Sequence, residues 1–350
     1  MSEGRPRVAF FTQGVKVPAA RFRVDQLVPA LTPHLDCTVL PATPSVYGDV
    51  ASGRLHGDWR TLAQPLSIVS RLRQLRSGVL DHVDVAWLQR PMVQYSSTAL
   101  ERHVAARVPT VFDFDDAIFH NKWGLEARKL RRIFAAMAHI VVGNAYLAEF
   151  VGAPARTTII PTVVDEHRYA PRPDPDGRFT IVWTGLSSNL KELAPYADAL
   201  RGVLRDTGGR LVIIADRLDA PFLAGMDVEF VPWSPAVEVE ALSAGHVGVM
   251  PIADTPYNRG KCGFKLIQYM ARGMPVVASP VGANADIVRQ GVDGLHARTN
   301  ADWADALRTL AADRDLRVRM GAAARARVEA SYSVTAVVPL VRDVVRRVMS

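Results

Sequence analysis

The chain has 350 residues, of which 49% are hydrophobic and 22% are charged. This length suits two domains of ordinary size, and the composition excludes a disordered chain. No apolar stretch approaches the roughly 18–20 residues that a membrane-spanning helix needs. The polar start, MSEGRPR, is unlike a signal peptide, and Cys37 and Cys262 make neither a disulfide framework nor a zinc set. We therefore expect a globular, cytoplasmic protein.

The net charge of +7 is compatible with phosphate-bearing ligands, with an anionic membrane surface or with nucleic acid. The sequence carries no helix-turn-helix, zinc-finger or RNA-recognition signature. We therefore predict no nucleic-acid partner.

In the first half of the chain, short β-branched runs alternate with longer segments of helical periodicity. This alternation predicts an α/β domain with a parallel sheet, over residues 1–169. The predicted strands are 8–12, 37–40, 83–88, 110–114, 140–142 and 157–160, and the predicted helices are 21–31, 66–75, 97–107, 125–138 and 144–151.

Residues 170–177, APRPDPDG, hold three prolines and a glycine and cannot continue a helix or a central strand. We interpret them as an interdomain linker. The same alternation then resumes and predicts a second domain over residues 178–333. A last helix over residues 334–350 is a candidate to pack back on the first domain. The predicted strands are 179–184, 211–215, 228–231, 247–251 and 275–278, and the predicted helices are 190–204, 236–244, 264–272, 285–290, 301–312 and 316–330.

A glycine-rich loop leads into the predicted helix that begins near Phe264. Gly263 allows a tight turn and a close approach of the backbone to a ligand. A helix N-terminus attracts phosphate, and Lys261 and Lys265 add positive charge there. Gln268, one turn further on, is placed to hydrogen-bond a ribose hydroxyl. An ordinary helix–strand unit with solvated lysines explains these residues equally well.

The surrounding stretch, residues 258–282, reads NRGKCGFKLIQYMARGMPVVASPVG. It resembles the donor-binding motif of the family 4 (group 1) glycosyltransferases, in which a glycine-rich loop and a helix precede Gly-x-Pro-Val-Val-Ala-Ser. The resemblance is most specific over residues 254–294. It implies the GT-B architecture, in which two Rossmann-like, doubly wound domains face each other across a cleft. It also implies a nucleotide-diphosphate sugar as co-substrate, with no cofactor and no metal.

Two positions depart from that motif. Family members carry two glutamates separated by seven residues, and these positions hold Gly260 and Gln268 here. The first glutamate normally helps to orient the donor sugar, so the sequence identifies no catalytic residue. After the first strand of the second domain, Gly185 permits a close approach of the backbone, which makes it a donor-site candidate. The family has a basic residue here that grips the diphosphate, and Lys191 is the nearest match. A surface lysine on a helix is the alternative.

Asp113, Asp115 and Asp116 end a predicted strand of the first domain. Three carboxylates at such a position are costly to bury without partners. A metal site, a cluster that binds the acceptor, and ion pairs with Arg23 or Arg90 are the alternatives. We favour an acceptor or cleft cluster.

Arginines near the predicted strand ends are further candidates for that cluster. Arg21, Arg23 and Arg90 are placed to reach an anionic acceptor or the donor phosphates, because arginine makes bidentate contacts. The basic runs 71–76 and 128–132 indicate either solvated helix faces or contact with an anionic membrane.

The resemblance thus implies transfer of a sugar from a nucleotide-diphosphate donor to a glycan, lipid-linked or small-molecule acceptor, with retention and without metal. Two alternatives remain at this point. One is a non-hydrolysing nucleotide-sugar epimerase of the same fold. The other is a non-catalytic, nucleotide-binding partner subunit.

Overall fold

Two six-stranded sheets, each entirely parallel, organise the chain. The structure is a computed structural model that describes residues 4–14, 17–42, 59–94, 96–120 and 124–350, with the backbone alone for residues 59–64. Unit 1 comprises Met1–Val163 and Val334–Ser350, and unit 2 comprises Val164–Ser333.

In unit 1 the strands lie in the order β2-β1-β3-β4-β5-β6. The chain adds β2 on one side of β1 and β3 to β6 on the other, which makes the carboxyl ends of β1 and β3 the topological switch point of this sheet. The strands are β1 (Arg7–Thr12), β2 (Asp36–Pro41), β3 (Val85–Gln89), β4 (Thr110–Phe114), β5 (His139–Val142) and β6 (Thr157–Ile159). The helices are α1 (Pro18–Ala20), a π-helical turn (Arg21–Asp25), α2 (Val28–Leu31), α3 (Trp59–Arg76), α4 (Ala99–Ala105), α5 (Leu125–Ala136), α6 (Ala145–Val151) and the C-terminal α14 (Val334–Met349), with short 3-10 turns at Val79–His82 and Pro154–Arg156.

Helices cover both faces of this sheet, so its central strands β3, β4 and β5 are buried throughout. On one face, α2 and α14 pack with Val8, Phe10 and Val111 in a single apolar cluster. The opposite face carries α3 to α6. There the ring of Phe134 in α5 stacks on Phe114 of β4, at 5.6 Å between centroids.

In unit 2 the order is β12-β11-β10-β7-β8-β9. Counted within the unit, this is the 3-2-1-4-5-6 arrangement of dinucleotide-binding sheets, with its switch point between β7 and β10. The strands are β7 (Thr180–Thr184), β8 (Arg210–Ala215), β9 (Val228–Pro232), β10 (Val247–Met250), β11 (Val276–Ala278) and β12 (Gly294–His296). The helices are α7 (Ala197–Thr207), α8 (Glu238–Ala241), α9 (Pro256–Arg259), α10 (Phe264–Ala271), α11 (Ala283–Ile287), α12 (Asn300–Ala312) and α13 (Arg314–Ser331), with 3-10 turns at Ser187–Glu192, Ala194–Tyr196, Pro221–Leu223 and Leu242–Ala244.

The boundary between the units differs from the predicted one. It falls after Val163, so the predicted linker, residues 170–177, lies within unit 2. The prolines prevent regular structure there, but ion pairs still bind the segment to unit 2. Asp174 accepts from Arg317 at 2.9 Å, and both side chains are buried. Residues 334–350 belong to unit 1, where Val337 and Val341 of α14 enter the apolar cluster.

Several predicted elements also need correction. The short strand β12 was not predicted, because its three residues, Gly-Leu-His, carry no β-branched side chain. The predicted helix 21–31 consists of separate short pieces, since Pro29 lacks the N–H that a continuous helix would need. The predicted helix 190–204 begins as 3-10 turns and becomes α-helical only at Ala197. In the described part of the chain, no helix is both long and apolar enough to cross a membrane.

Candidate functional site

The switch point of unit 2 lies where β7 and β10 end, at Thr184 and Met250. Ligands of open parallel sheets bind outside the carboxyl ends of the strands at such a point. The glycine-rich loop and α10 follow β10 in the chain, so the sequence motif and the topology indicate the same edge of the sheet.

Gly185 follows β7 directly and adopts a φ of +153°. A Cβ atom at this position would lie 2.5 Å from Cε and 2.7 Å from Nζ of Lys265. The Lys265 ammonium therefore lies directly against the backbone at residue 185. Its Nζ is also 4.4 Å from the ring centroid of Trp183, close enough for a cation–π interaction. The structure thus brings together two of the predicted donor-site residues, Gly185 and Lys265.

The Lys265 ammonium is electrostatically unsatisfied. Burial lowers its pKa to about 7, and the positive charge of Lys261 lowers it further, while Glu192 has the opposite effect. Within the described residues, no carboxylate oxygen lies within 4 Å of its Nζ. A bound anion would supply the missing negative charge, which makes this position suited to a phosphate group.

Helix α10 is held in place by contacts on two sides. Gly263 caps its N-terminus with φ +61°, and a Cβ there would lie 2.2 Å from Cδ1 of Ile287. Further along, the Tyr269 hydroxyl accepts a hydrogen bond from the Thr184 backbone N–H at 2.8 Å. Phe264, the first residue of α10, packs against the apolar core. These contacts fix Lys265 relative to the end of β7.

The neighbouring loops are joined by Glu192, which the sequence analysis missed. Its carboxylate accepts from the Ala253 backbone N–H at 2.9 Å and from Nδ2 of Asn258 at 3.4 Å. It therefore connects the turn after β7 to the loop after β10. The neighbouring Lys191 is exposed on the same 3-10 turn, and its contact with a donor diphosphate stays a prediction.

Gln268, a predicted donor-site residue, already has hydrogen-bond partners within unit 2. Its side chain is buried, and Nε2 donates to the Tyr169 hydroxyl at 2.8 Å and to Oε1 of Glu238 at 2.9 Å. Both donor hydrogens of the amide are thereby used within unit 2. Its predicted contact with a ribose is not tested by these contacts, and it would have to involve the amide oxygen or a rearranged network.

In unit 1, Asp113 and Arg23 form a buried ion pair. Arg23 donates to Asp113 at 2.5 and 3.3 Å and to the Ile160 carbonyl at 2.6 Å, and Trp87 Nε1 donates to the same carboxylate at 3.3 Å. Burial raises the pKa of Asp113, and the Arg23 charge opposes that rise. For this residue the structure favours the pairing alternative, because both side chains are almost completely enclosed.

Arg90 and Asp115 form a second pair at the same edge of the sheet. Arg90 donates to Oδ1 of Asp115 at 2.7 and 3.1 Å and lies 3.8 Å from Asp116. Burial alone would raise the pKa of Asp115, but Arg90 and Arg23 together lower it. Among the described residues, Arg90 is the only non-glycine with a positive φ, at +64°. Such strained positions are typical of functional sites.

The residue before Arg90 was not predicted as a site residue. Gln89 ends β3 at the switch point of unit 1, and both polar atoms of its amide are buried without a hydrogen-bond partner among the described residues. A buried, unpaired amide is costly and calls for an explanation.

Arg21, another candidate from the sequence, is partly buried with its guanidinium 4.6 Å from the Phe22 ring centroid. The described residues include no group of three or more His, Cys, Asp or Glu arranged as metal ligands.

Comparison with known proteins supports the interpretation of unit 2. Residues 178–313 match the family model described as glycosyl transferases group 1. The predicted resemblance is confirmed. The chain is 30% identical over 197 residues to the D-inositol 3-phosphate glycosyltransferase of Geodermatophilus obscurus, covering 49% of this chain and 44% of that one. It is 48% identical over 61 residues to the protein of the same name from Nocardia farcinica, covering 17% and 14%. The chain thus spans less than half of the length of either relative.

Solved structures resemble the whole chain. HepE of Anabaena, in complex with UDP, has a TM-score of 0.70 and 15% identity and covers 97% of this chain and 99% of that one. A glycosyltransferase of Rickettsia africae has a TM-score of 0.73 and 11% identity, covering 99% and 100%. Sucrose-phosphate synthase of Thermosynechococcus elongatus has a TM-score of 0.69 and 15% identity, covering 98% and 99%. The predicted α/β fold class of the GT-B type is confirmed by these likenesses.

Proposed function

We propose that the protein is a glycosyltransferase that moves a sugar from a nucleotide-diphosphate donor to a hydroxyl-bearing acceptor, with retention and without metal. The observation that carries the proposal is the Lys265 ammonium, which packs on Gly185 at the switch point of unit 2 and has no carboxylate within ion-pairing distance among the described residues. Support comes from the match of residues 178–313 to the group 1 family model and from the names of the curated relatives.

The donor diphosphate would be bound by Lys265, Lys261 and the N-terminal N–H groups of α10, with Gly185 allowing close approach of the backbone. When the bond between the sugar and the diphosphate breaks, negative charge develops on the leaving phosphate. A preorganised ammonium in a partly dehydrated position stabilises that charge far better than one in water. These residues therefore suit departure of a nucleoside diphosphate.

The acceptor would be bound at the carboxyl edge of the unit 1 sheet, near Arg90, Asp115 and Asp116. The amide of Gln89, at the end of β3 and next to Arg90, has no hydrogen-bond partner among the described residues. It offers both donors and an acceptor, which matches a hydroxyl group. We assign no general base, because Asp113 and Asp115 are each held by an arginine.

Thermal unfolding with UDP, GDP, ADP and dTDP tests the donor site. A ligand at about a hundred times its dissociation constant adds roughly 2.7 kcal/mol to the free energy of unfolding. We expect a clear rise in Tm with one of these nucleotides, with UDP as the first choice because HepE was solved with it. The rise should be lost in Lys265→Ala and kept in Arg319→Ala, which removes an exposed basic side chain from α13 of the same unit.

The products then distinguish the reactions. Incubation with the matching nucleotide sugar and a panel of polyols should release nucleotide only when an acceptor is present. Conversion of the donor to an inverted nucleotide sugar without acceptor would instead identify an epimerase. Tight nucleotide binding with neither product would identify a non-catalytic partner subunit.

A further inference from the structure

Helices α3, α4 and α5 cover one face of the unit 1 sheet side by side. They meet at residues Met92 and Val93. Arg71 of α3 donates to the Met92 carbonyl at 3.3 Å, and Glu101 of α4 accepts from the Met92 N–H at 2.9 Å. Lys129 of α5 donates to the Val93 carbonyl at 3.1 Å. The inward-pointing charged side chains of the three helices thus hold them to the same two residues, Met92 and Val93.

This arrangement corrects the expectation for the basic run 71–76. Arg71 is completely buried and also donates to the carbonyls of Thr12 and Leu40, at 2.6 and 2.7 Å. Burial lowers its pKa to about 9. Arg71 therefore anchors α3 to the core and determines which side of α3 faces outward.

The outward side of α3 is apolar at one end and basic at the other. Leu66 and Val69 are 63% and 62% exposed, and they lie three residues apart on one helix face. Arg73 and Arg76 continue the same stripe and are exposed. An open depression of about 440 Å³ lies along this stripe and is lined by Val69, Leu72, Arg73, Arg76 and Ser77.

The neighbouring helices extend the positive charge. On the described side chains of α3 to α6, arginines outnumber carboxylates at the surface. The exposed arginines are Arg73, Arg76, Arg102, Arg128, Arg131 and Arg132, and the carboxylates that are not buried are Glu126 and Glu149, with Asp81 on the 3-10 turn after α3. Leu125 at the start of α5 adds a further exposed aliphatic side chain.

We propose that this amphipathic face, formed by the Leu66–Arg76 stripe of α3 and the exposed arginines of α4 and α5, docks on an anionic lipid surface. The arginines complement lipid phosphates, and the aliphatic side chains enter the boundary between headgroups and acyl chains. A nucleic acid would satisfy the arginines but not the exposed Leu66 and Val69. The proposal does not depend on the sugar-transfer reaction.

Sedimentation of the full chain with large unilamellar vesicles tests this proposal. The vesicles are phosphatidylcholine alone, or phosphatidylcholine with an equal amount of phosphatidylglycerol. We expect the protein to pellet with the anionic vesicles at low salt, to stay in solution with the neutral ones, and to be released at 0.5 M NaCl. The double variant Arg73→Ala/Arg76→Ala should weaken partitioning roughly 30-fold. The variant Leu66→Ser/Val69→Ser should weaken it roughly tenfold or more.

The matched control is Val318→Ser/Arg319→Ala, which removes an exposed aliphatic and an exposed arginine from α13 of unit 2. It should bind vesicles like the unmodified protein, and circular dichroism should show that all variants are folded. Failure of the unmodified protein to pellet with anionic vesicles at low salt would overturn the proposal. So would a dimer in light scattering that Leu66→Ser/Val69→Ser converts to a monomer, because the face would then join two copies of the chain.

Discussion

Cε and Nζ of Lys265 occupy the space into which any side chain at position 185 would project, at 2.5 and 2.7 Å from the Cβ position of Gly185. The two residues are 80 positions apart in the sequence, and they meet because β7 and β10 are neighbours in the sheet. A substitution at position 185 should therefore act on the ammonium rather than on the core.

Gly185→Ala should weaken nucleotide binding more than it weakens the fold. The new methyl group displaces the flexible end of Lys265, so we expect at least a tenfold loss in affinity for the preferred nucleotide, measured by calorimetry. The strained φ of +153° should also lower Tm by a few degrees. Gly291→Ala is the control, because its φ is +75° but no atom lies within 4 Å of its added Cβ. If both variants lose affinity equally, the contact with Lys265 is not the cause.

Lys265 should make both stability and nucleotide binding depend on pH. Its folded pKa of about 7 is below the value near 10.4 of an unfolded lysine. Between these two pH values the unfolded chain binds more protons than the folded chain, so the free energy of unfolding rises with pH. Below pH 7 the destabilisation by Lys265 reaches its full size. Lys265→Met should therefore raise Tm at pH 6 and have little effect at pH 10.

The effect of pH on binding should have the opposite sign. A bound diphosphate favours the charged ammonium and raises its pKa, so affinity should fall as pH increases above 7 in the unmodified protein. Lys265→Met should bind weakly at every pH. Arg319→Met, which changes an exposed basic residue of α13, should reproduce the pH profile of the unmodified protein. A flat profile in the unmodified protein would contradict the assignment.

The strand–helix alternation and the glycine-rich motif could be predicted from the sequence because they depend on local patterns. Most strands of the two sheets and α10 were therefore predicted, and β12 was missed because three residues carry too little periodicity. Hydrogen-bond partners that lie far apart in the chain could not be predicted. The amide of Gln268 donates to Tyr169 and Glu238, and no local pattern relates those three positions. The role of Glu192 was hidden for the same reason. The contact of Gln268 with a ribose stays a prediction.

Gln89→Met tests whether the side-chain amide at the end of β3 binds a ligand. Methionine has nearly the same shape and removes two buried polar atoms that lack partners in the described structure. We expect the free energy of unfolding in urea to rise by about 1–3 kcal/mol. Any stabilisation of the protein by the acceptor polyol should disappear. A loss of stability would instead mean that the amide is already hydrogen-bonded, for example to a buried water molecule.

Arg90 and Asp115 should behave as a coupled pair. Arg90→Asn keeps a residue that tolerates positive φ, but it removes both hydrogen bonds to the carboxylate of Asp115, which remains largely buried. We expect a loss of about 3–5 kcal/mol, because removing one partner of a buried pair leaves the other charge in a poorly hydrated position without its hydrogen bonds from Arg90. Arg90→Asn/Asp115→Asn should recover a large part of that loss, which a double-mutant cycle in urea measures.

The pH dependence of this pair gives an independent check. Arg90 and Arg23 lower the folded pKa of Asp115, so its ion pair contributes stability above the unfolded value near 3.9, and this contribution is lost as pH falls below that value. The difference in unfolding free energy between the unmodified protein and Asp115→Asn should therefore shrink on acidification. In Arg90→Asn, Arg90 no longer opposes the effect of burial, so the pKa of Asp115 should rise, which carboxyl-labelled NMR can detect. An unchanged pKa in that variant would show that Arg90 does not control the charge of Asp115.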